Sequence, residues 1–503
     1  MSASESANLT ATGMDCATNK TELAVGGASI SMTDRSRLRS GVLGTADILF
    51  MVVAVAAPMA VVVATMPLAF ALGNGPGAVG IYAAVAAVMA LFAVGYVRLL
   101  PHVRNAGAFY AIISNGFGAS VGLSAAFVAL ASYVSLCCAT LGALAYFVAD
   151  LLGRSNIRTS WVLVALSVIF IVAVLSYFRI TLAARILGAV LVGEVLLLLA
   201  LDVAIVISTG GNLPMGVFAP NTVISPGLGI AAMYAFNSCI GFEGTAIYQE
   251  EARDRERTIP RATYAAIAVI GLFYIFTAWC LTAAAGTENI ATLSGKDPGH
   301  FVASITARYL GSAAEGLLSL LVVTSAFAAV LGLFNNSARY IFALARDRAF
   351  PQALGRTNAY GAPFAAGLPV LLVLMGVAVP FWMADLDPLL VLATSLTGLG
   401  SVGLMILLGA TSFSIASYFT RRHQIGCSTV FAPILAGMAI FLGVGLTLDN
   451  YKALTGVNSA IINRLPWGLL LLAALGMARG LWLRSCLPDR HARLGSTRMD
   501  DLT

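Results

Sequence analysis

The amino-acid sequence predicts an all-α membrane protein of twelve transmembrane helices, and three observations carry that expectation. Of its 503 residues, 59% are hydrophobic and only 10% are charged, too apolar for a soluble domain with a single anchor. The apolar residues recur in blocks of about 20, the length that crosses a roughly 30 Å hydrocarbon layer at 1.5 Å per residue. The basic residues gather on alternate connecting segments. Lipid offers no partner to a backbone N–H or C=O, so the spans must be helices rather than open strands.

The blocks lie near 47–72, 79–100, 119–149, 160–178, 185–208, 226–248, 262–285, 313–345, 364–383, 388–418, 429–448 and 466–484. The third, eighth and tenth exceed the bilayer and are expected to tilt or project from it. With the N-terminus in the cytoplasm, 23 of the 29 Lys and Arg residues are cytoplasmic, and only Arg154, Arg158, Lys296, Arg308, Lys452 and Arg464 lie outside. Insertion disfavours the reverse, so both termini are expected on the cytoplasmic side of the cytoplasmic (inner) membrane. The net charge of +6 is therefore a topology signal and implies no nucleic acid. Residues 1–44, rich in Ser, Thr, Ala and Gly and lacking the apolar core of a cleavable signal, are expected to form a disordered cytoplasmic tail.

Catalytic chemistry finds little support. Cysteines 16, 137, 138, 239, 280, 427 and 486 show no paired metal spacing, and histidines 102, 300, 423 and 491 all fall in loops or tails. No Gly-x-x-x-x-Gly-Lys-Ser/Thr run is present, so nucleotide hydrolysis is not the expected driving force. No metal or cofactor is implied, and no enzyme activity. A channel would need repeated charged or carbonyl rings, and no such filter is visible.

Taken in order, the first span carries Ala56-Ala57-Pro58-Met59-Ala60 halfway through the bilayer. Proline removes a backbone donor and clashes with the preceding turn, so the helix breaks or kinks at Pro58. Beyond span two comes Asn105-Ala106-Gly107-Ala108-Phe109-Tyr110, a small-residue run suited to close packing, or simply part of a basic loop. Span three offers Ser132, Tyr133, Ser135, Cys137 and Cys138, read mainly as helix contacts.

Span five holds Glu194 within an otherwise apolar run. A charge near mid-membrane costs about 3 kcal/mol on some scales and far more on others, so such an acid is a candidate to take and release a proton or to ligate a cation. A structural hydrogen bond that neutralises it is the competing reading. Asp202, eight residues on, is placed near the outer end, where exposure would be explanation enough.

Span six is interrupted by Asn237-Ser238-Cys239-Ile240-Gly241-Phe242-Glu243-Gly244. Two glycines and an acid make a poor continuous helix and a good place for backbone to unwind and offer its own polar groups to a solute. Then follows the charged run Glu250-Glu251-Ala252-Arg253-Asp254-Arg255-Glu256-Arg257-Thr258-Ile259-Pro260-Arg261-Ala262. Span eight ends in Asn335 to Arg339, then Arg346-Asp347-Arg348-Ala349-Phe350-Pro351 and Tyr360-Gly361-Ala362-Pro363.

Gly241-Phe242-Glu243, Glu250-Glu251-Ala252 and Thr258-Ile259-Pro260-Arg261-Ala262, in order and closely spaced, resemble the sixth-helix signature of the amino acid–polyamine–organocation superfamily permeases. Asn105 to Tyr110 is similar to the family's Gly-Gly-x-Tyr lead into helix three, and Asn335 to Pro351 to its Asn-x-x-x-Arg … Arg-Asp-x-x-Phe-Pro motif. The first helix departs from the pattern, with Ala56-Ala57-Pro58 in place of a Gly-Ser-Gly type run. The resemblance, over roughly residues 45–420, implies an inverted five-helix repeat with broken helices one and six, a solute between the breaks, and two peripheral helices within 421–485 that offer a surface for a homo-oligomer. Residues 486–503 make a second cytoplasmic tail.

The function so implied is secondary active transport of an amino acid or related amine by alternating access, coupled to protons, with sodium the alternative ion and coupling-free exchange the alternative mode. The expected substrate contacts are Ala57, Pro58, Met59 and Ala60 at one break and Asn237, Ser238, Cys239, Ile240, Gly241 and Phe242 at the other. Glu194 and Glu243 are the candidates for proton or ion coupling, and Glu243 competes with a role bracing the unwound turn. Phe236 or Phe242 would serve as an aromatic gate. Neither break carries an acidic partner for a cationic side chain, which favours a neutral substrate.

Overall fold

The computed structural model describes residues 44–102, 108–178, 184–242, 252–488 and 491. Among them every regular element is helical, and no strand occurs. Nine helices among the described residues are long and apolar enough to cross a membrane. The first span is instead two shorter pieces, α1 (Thr45–Val55) and α2 (Pro58–Ala71). Next come α3 (Ala78–Leu99), α4 (Ala108–Phe117) and α5 (Ala119–Arg154). The chain continues with α6 (Trp161–Tyr177), α7 (Ala184–Ser208), the short α8 (Leu228–Ser238) and α9 (Arg255–Ala285).

Two small helices, α10 (Ile290–Lys296) and α11 (Phe301–Leu310), precede α12 (Ser312–Arg346). The last four are α13 (Phe364–Met383), α14 (Pro388–Arg421), α15 (Cys427–Asp449) and α16 (Leu465–Cys486). At 36 residues α5 is about 54 Å long, more than a bilayer core, which a tilted or projecting helix accommodates.

The long α5 is the axis of the bundle, with α12, α14 and α16 packed along it. Between apolar helices in lipid, close backbone approach replaces the hydrophobic drive, and small residues permit it. Gly476 and Gly480, four apart on α16, face Ser124 and Ser120, four apart on α5. A Cβ on either glycine would stand 2.7 Å from the facing Cα. Large apolar side chains point outward on the other faces, among them Phe170, Ile207, Leu372 and Leu442. In water such a surface would aggregate; in a multi-pass membrane protein it is the lipid contact.

The helices α10 and α11 lie against α2, and Phe301 meets Phe70 edge-on at 6.4 Å between ring centroids. Their connecting segment is tied to the end of α5. His300 bonds Asp297 at 3.0 Å and Asp150 at 3.1 Å, while Arg154 bridges Asp150 and Glu315 at 3.0 and 2.9 Å.

One expectation fails at this level. Asp202 has 0% exposure, because α9 covers the face of α7 on which it stands and Thr277 donates a 2.7 Å hydrogen bond to it.

Candidate functional site

The first span comes apart at Ala56 and Ala57. Pro58 cannot donate a backbone hydrogen bond, and it stands at the first position of the renewed helix, where that donor is not needed. Ala57 turns the chain with φ 46° and ψ 65°, the left-handed region that costs a residue with a Cβ about 1–2 kcal/mol. A π-helical turn, Val61–Thr65, follows immediately, ahead of Pro67, a second missing donor.

Three neighbouring helices bond the opened backbone. From α9, Tyr274 donates its hydroxyl to the Ala56 carbonyl at 3.3 Å. From α12, Ser325 accepts the Ala60 N–H at 3.4 Å and donates to Glu194 Oε2 at 2.9 Å. The Glu194 carboxylate, from α7, also accepts the Met59 N–H. This acid, 3% exposed, therefore sits at the positive end of a 14-residue half-helix, where oriented N–H groups favour a negative charge.

The second break follows α8. Helical bonding ends at Ser238; Cys239 and Ile240 close tight turns onto Phe236 and Asn237, and Gly241 adopts φ 117°, which only glycine tolerates without strain. Asn237 accepts a 3.0 Å bond from Ser401 on α14. Ser238 donates to the Tyr234 carbonyl at 2.8 Å, so the Tyr82 hydroxyl, 3.3 Å away, is the donor of that second bond. Phe242 is buried edge-on against Phe92 and Tyr96 at 5.7 and 6.0 Å. Glu243, the glutamates at 250 and 251, and Asn105 to Gly107 lie outside the described residues.

The two breaks are joined through a pair of rings. Tyr274, bonded to Ala56, lies 6.5 Å from Tyr82, bonded to Ser238. Beside the second break is a small hollow lined by Met89, Phe109, Phe236, Cys239, Ile240, Phe242, Leu404 and Leu408, with no charged group among them. Of the residues expected from sequence, Met59, Ala60 and Glu194 meet around Ser325. Cys239, Ile240 and Phe242 line the hollow, and Asn237 and Ser238 face α14 and α3. Tyr82 and Tyr274 were not anticipated: a tyrosine inside an apolar run carries no local sign of what its hydroxyl will meet.

Among the described residues no group of His, Cys, Asp and Glu is placed to hold a metal ion.

A multi-pass helical membrane protein whose first span opens at mid-length over a buried acid is the class that fold and site define. Residues 43–475 match the amino acid permease family model, and the chain belongs to that family. It is also similar to the lysine-specific permease LysP of Lactococcus lactis subsp. cremoris (strain MG1363), 27% identical over 203 residues. That match covers 39% of this chain and 39% of the relative's own length.

Proposed function

We propose that this protein is a secondary active transporter that carries an amino acid across the cytoplasmic membrane by alternating access, together with a proton. The observation that carries this reading is the link between the two breaks: Tyr274, bonded to the Ala56 carbonyl, packs its ring against that of Tyr82, which is bonded to Ser238. A site that must open to either side in turn needs helices able to flex at mid-depth, and the turns at Ala57 and Gly241 stand where that flexing would occur.

The nine long helices, the 17-residue α6, and the interrupted first and sixth spans together make the proposed twelve crossings. Residues 45–420 form the transport core as an inverted five-helix repeat, residues 421–485 two flanking helices, and both termini face the cytoplasm.

Glu194 supplies the coupling. As a carboxylate it accepts from Met59 and Ser325, and so competes with a substrate carboxylate for the half-helix terminus. Taking up a proton turns one of its acceptors into a donor and removes its charge. The Met59 N–H is then available to the substrate. Two anions do not share one half-helix terminus cheaply, so substrate loading favours proton loading.

The apolar hollow beside Cys239 and Phe242 suits an uncharged side chain. The lactococcal relative is named for lysine, but nothing lining this hollow would neutralise an ammonium group. We assign a neutral amino acid. Competition for uptake in proteoliposomes tests this: leucine- or alanine-like amino acids should inhibit and lysine should not, with saturable counterflow marking a carrier. Strongest inhibition by lysine, or flux without counterflow, would reject the assignment.

A further inference from the structure

The acid at Asp202 is not used by the mechanism above. It stands two turns beyond Glu194 on α7, about 12 Å along the helix, towards the end that leads into residues 209–227. Its exposure is 0%, and one oxygen, Oδ2, accepts from the Thr277 hydroxyl at 2.7 Å. The other, Oδ1, is buried and has no hydrogen-bond partner among the described residues. Glu194 has two donors and a half-helix terminus to offset its charge; Asp202 has one hydroxyl.

Among the described residues the rest of its surroundings supply no countercharge. The titratable neighbour that faces it is the Cys280 thiol on α9, itself buried. On the same helix Tyr274 is committed to the Ala56 carbonyl, and Glu256, Arg257, Arg261 and Tyr264 lie within its first ten residues, far from Thr277. Asp47 on α1 caps the Gly44 N–H. Arg308 on α11 is exposed over Tyr309, and Glu315 on α12 is paired with Arg154; Arg339, Tyr340 and Arg346 lie in the opposite half of α12. A lone ionised carboxylate so enclosed costs several kcal/mol, and a bound proton relieves that cost.

We infer that Asp202 is a second proton-binding group of this transporter, loaded and emptied through Oδ1 when α7 and α9 separate during the cycle. The step is a plain transfer: water admitted between the two helices delivers a proton to Oδ1 and later receives it back, with no other bond made or broken. Thr277 is the positioning residue, because its hydroxyl holds the ionised form. The inference rests on the proton-coupled reading given above.

The test is net uptake by proteoliposomes as a function of external pH, for the wild type, Asp202→Asn, Thr277→Val and Glu194→Gln. Asp202→Asn is expected to leave a shallower pH profile, with the number of protons moved per substrate reduced. Thr277→Val, which removes the donor to the ionised acid, is expected to move a midpoint of the profile to more alkaline pH. Labelling of the wild-type protein by a hydrophobic carbodiimide, located by mass spectrometry, needs no variant: Asp202 should be modified, and less so as pH rises.

Wild-type profiles in Asp202→Asn and Thr277→Val, beside a flattened profile in Glu194→Gln, would overturn the inference alone. A wild-type protein whose uptake ignores pH would overturn the coupled reading with it. Carbodiimide labelling of Asp202 that does not vary with pH would also overturn the inference.

Discussion

Ser325 donates a 2.9 Å hydrogen bond to Glu194 while accepting the N–H of Ala60, so one hydroxyl ties the acid of α7 to the renewed half of the first span. Removing the hydroxyl leaves Glu194 with fewer donors in its buried site, a loss of about 1.5–3 kcal/mol for a bond to a charged group. Ser325→Ala is therefore expected to shift the pH midpoint of uptake to a more alkaline value and to lower the substrate affinity. An unchanged pH profile in a folded variant would detach Ser325 from coupling.

Gly241 turns the chain at φ 117°. A β-branched residue there carries strain of about 1–3 kcal/mol in a segment that must also move. Gly241→Val should reach the membrane as folded protein, judged by monodisperse size exclusion in detergent, yet lose uptake more than tenfold. Normal uptake would count heavily against the second break as part of the site.

How much of this was legible beforehand differs by residue. Pro58 was readable because a missing N–H is a property of the residue itself, and the helix restarts at that proline. Ala57, which takes the strained turn, has no such signature. Glu194 stood out as an acid in an apolar run, but Ser325, 131 residues away, could be joined to it only by the packing of α12 on α7. The burial of Asp202 is not legible in the sequence, because position along a helix says nothing about which face a neighbour covers. The long spans were legible by composition, while the first is cut into pieces of 11 and 14 residues and α8 has only 11, lengths that composition over a bilayer-sized window would pass over.

Tyr274 holds the carbonyl of Ala56 at 3.3 Å. Tyr274→Phe keeps the ring and its packing on Tyr82 but leaves that buried carbonyl short of one donor, a penalty of about 1 kcal/mol. The expected readout is a several-fold change in the KM for uptake, with protein levels near those of the wild type. An unaltered KM would place the tyrosine pair outside the transport path.

The His300 contacts give a pH-dependent tie outside the spans. Burial pulls the imidazole down, but hydrogen bonds to Asp297 and Asp150, with their charges, outweigh it and the net shift is upward. A group raised on folding stabilises below its unfolded value, and that contribution is lost as pH rises through the folded one. Hydrogen exchange in residues 290–310 should therefore quicken from pH 6 to pH 9 beyond its intrinsic increase. In His300→Ala that excess should vanish.

The close approach of α16 to α5 sets a structural prediction. A Cβ at Gly480 would stand 2.7 Å from the Ser120 Cα, so Gly480→Leu must push the helices apart. Overpacking of this kind costs about 1–3 kcal/mol, read as a lower thermal midpoint in detergent. Ser167→Ala, whose hydroxyl bonds only within its own helix on an exposed face, should leave the midpoint where it is.

The most direct test of proton coupling at the opened first helix is uptake by proteoliposomes under an imposed inward proton gradient, wild type beside Glu194→Gln. Accumulation above equilibrium by the wild type, lost in the variant while substrate counterflow remains measurable, is the predicted result. Undiminished gradient-driven accumulation by Glu194→Gln would contradict it.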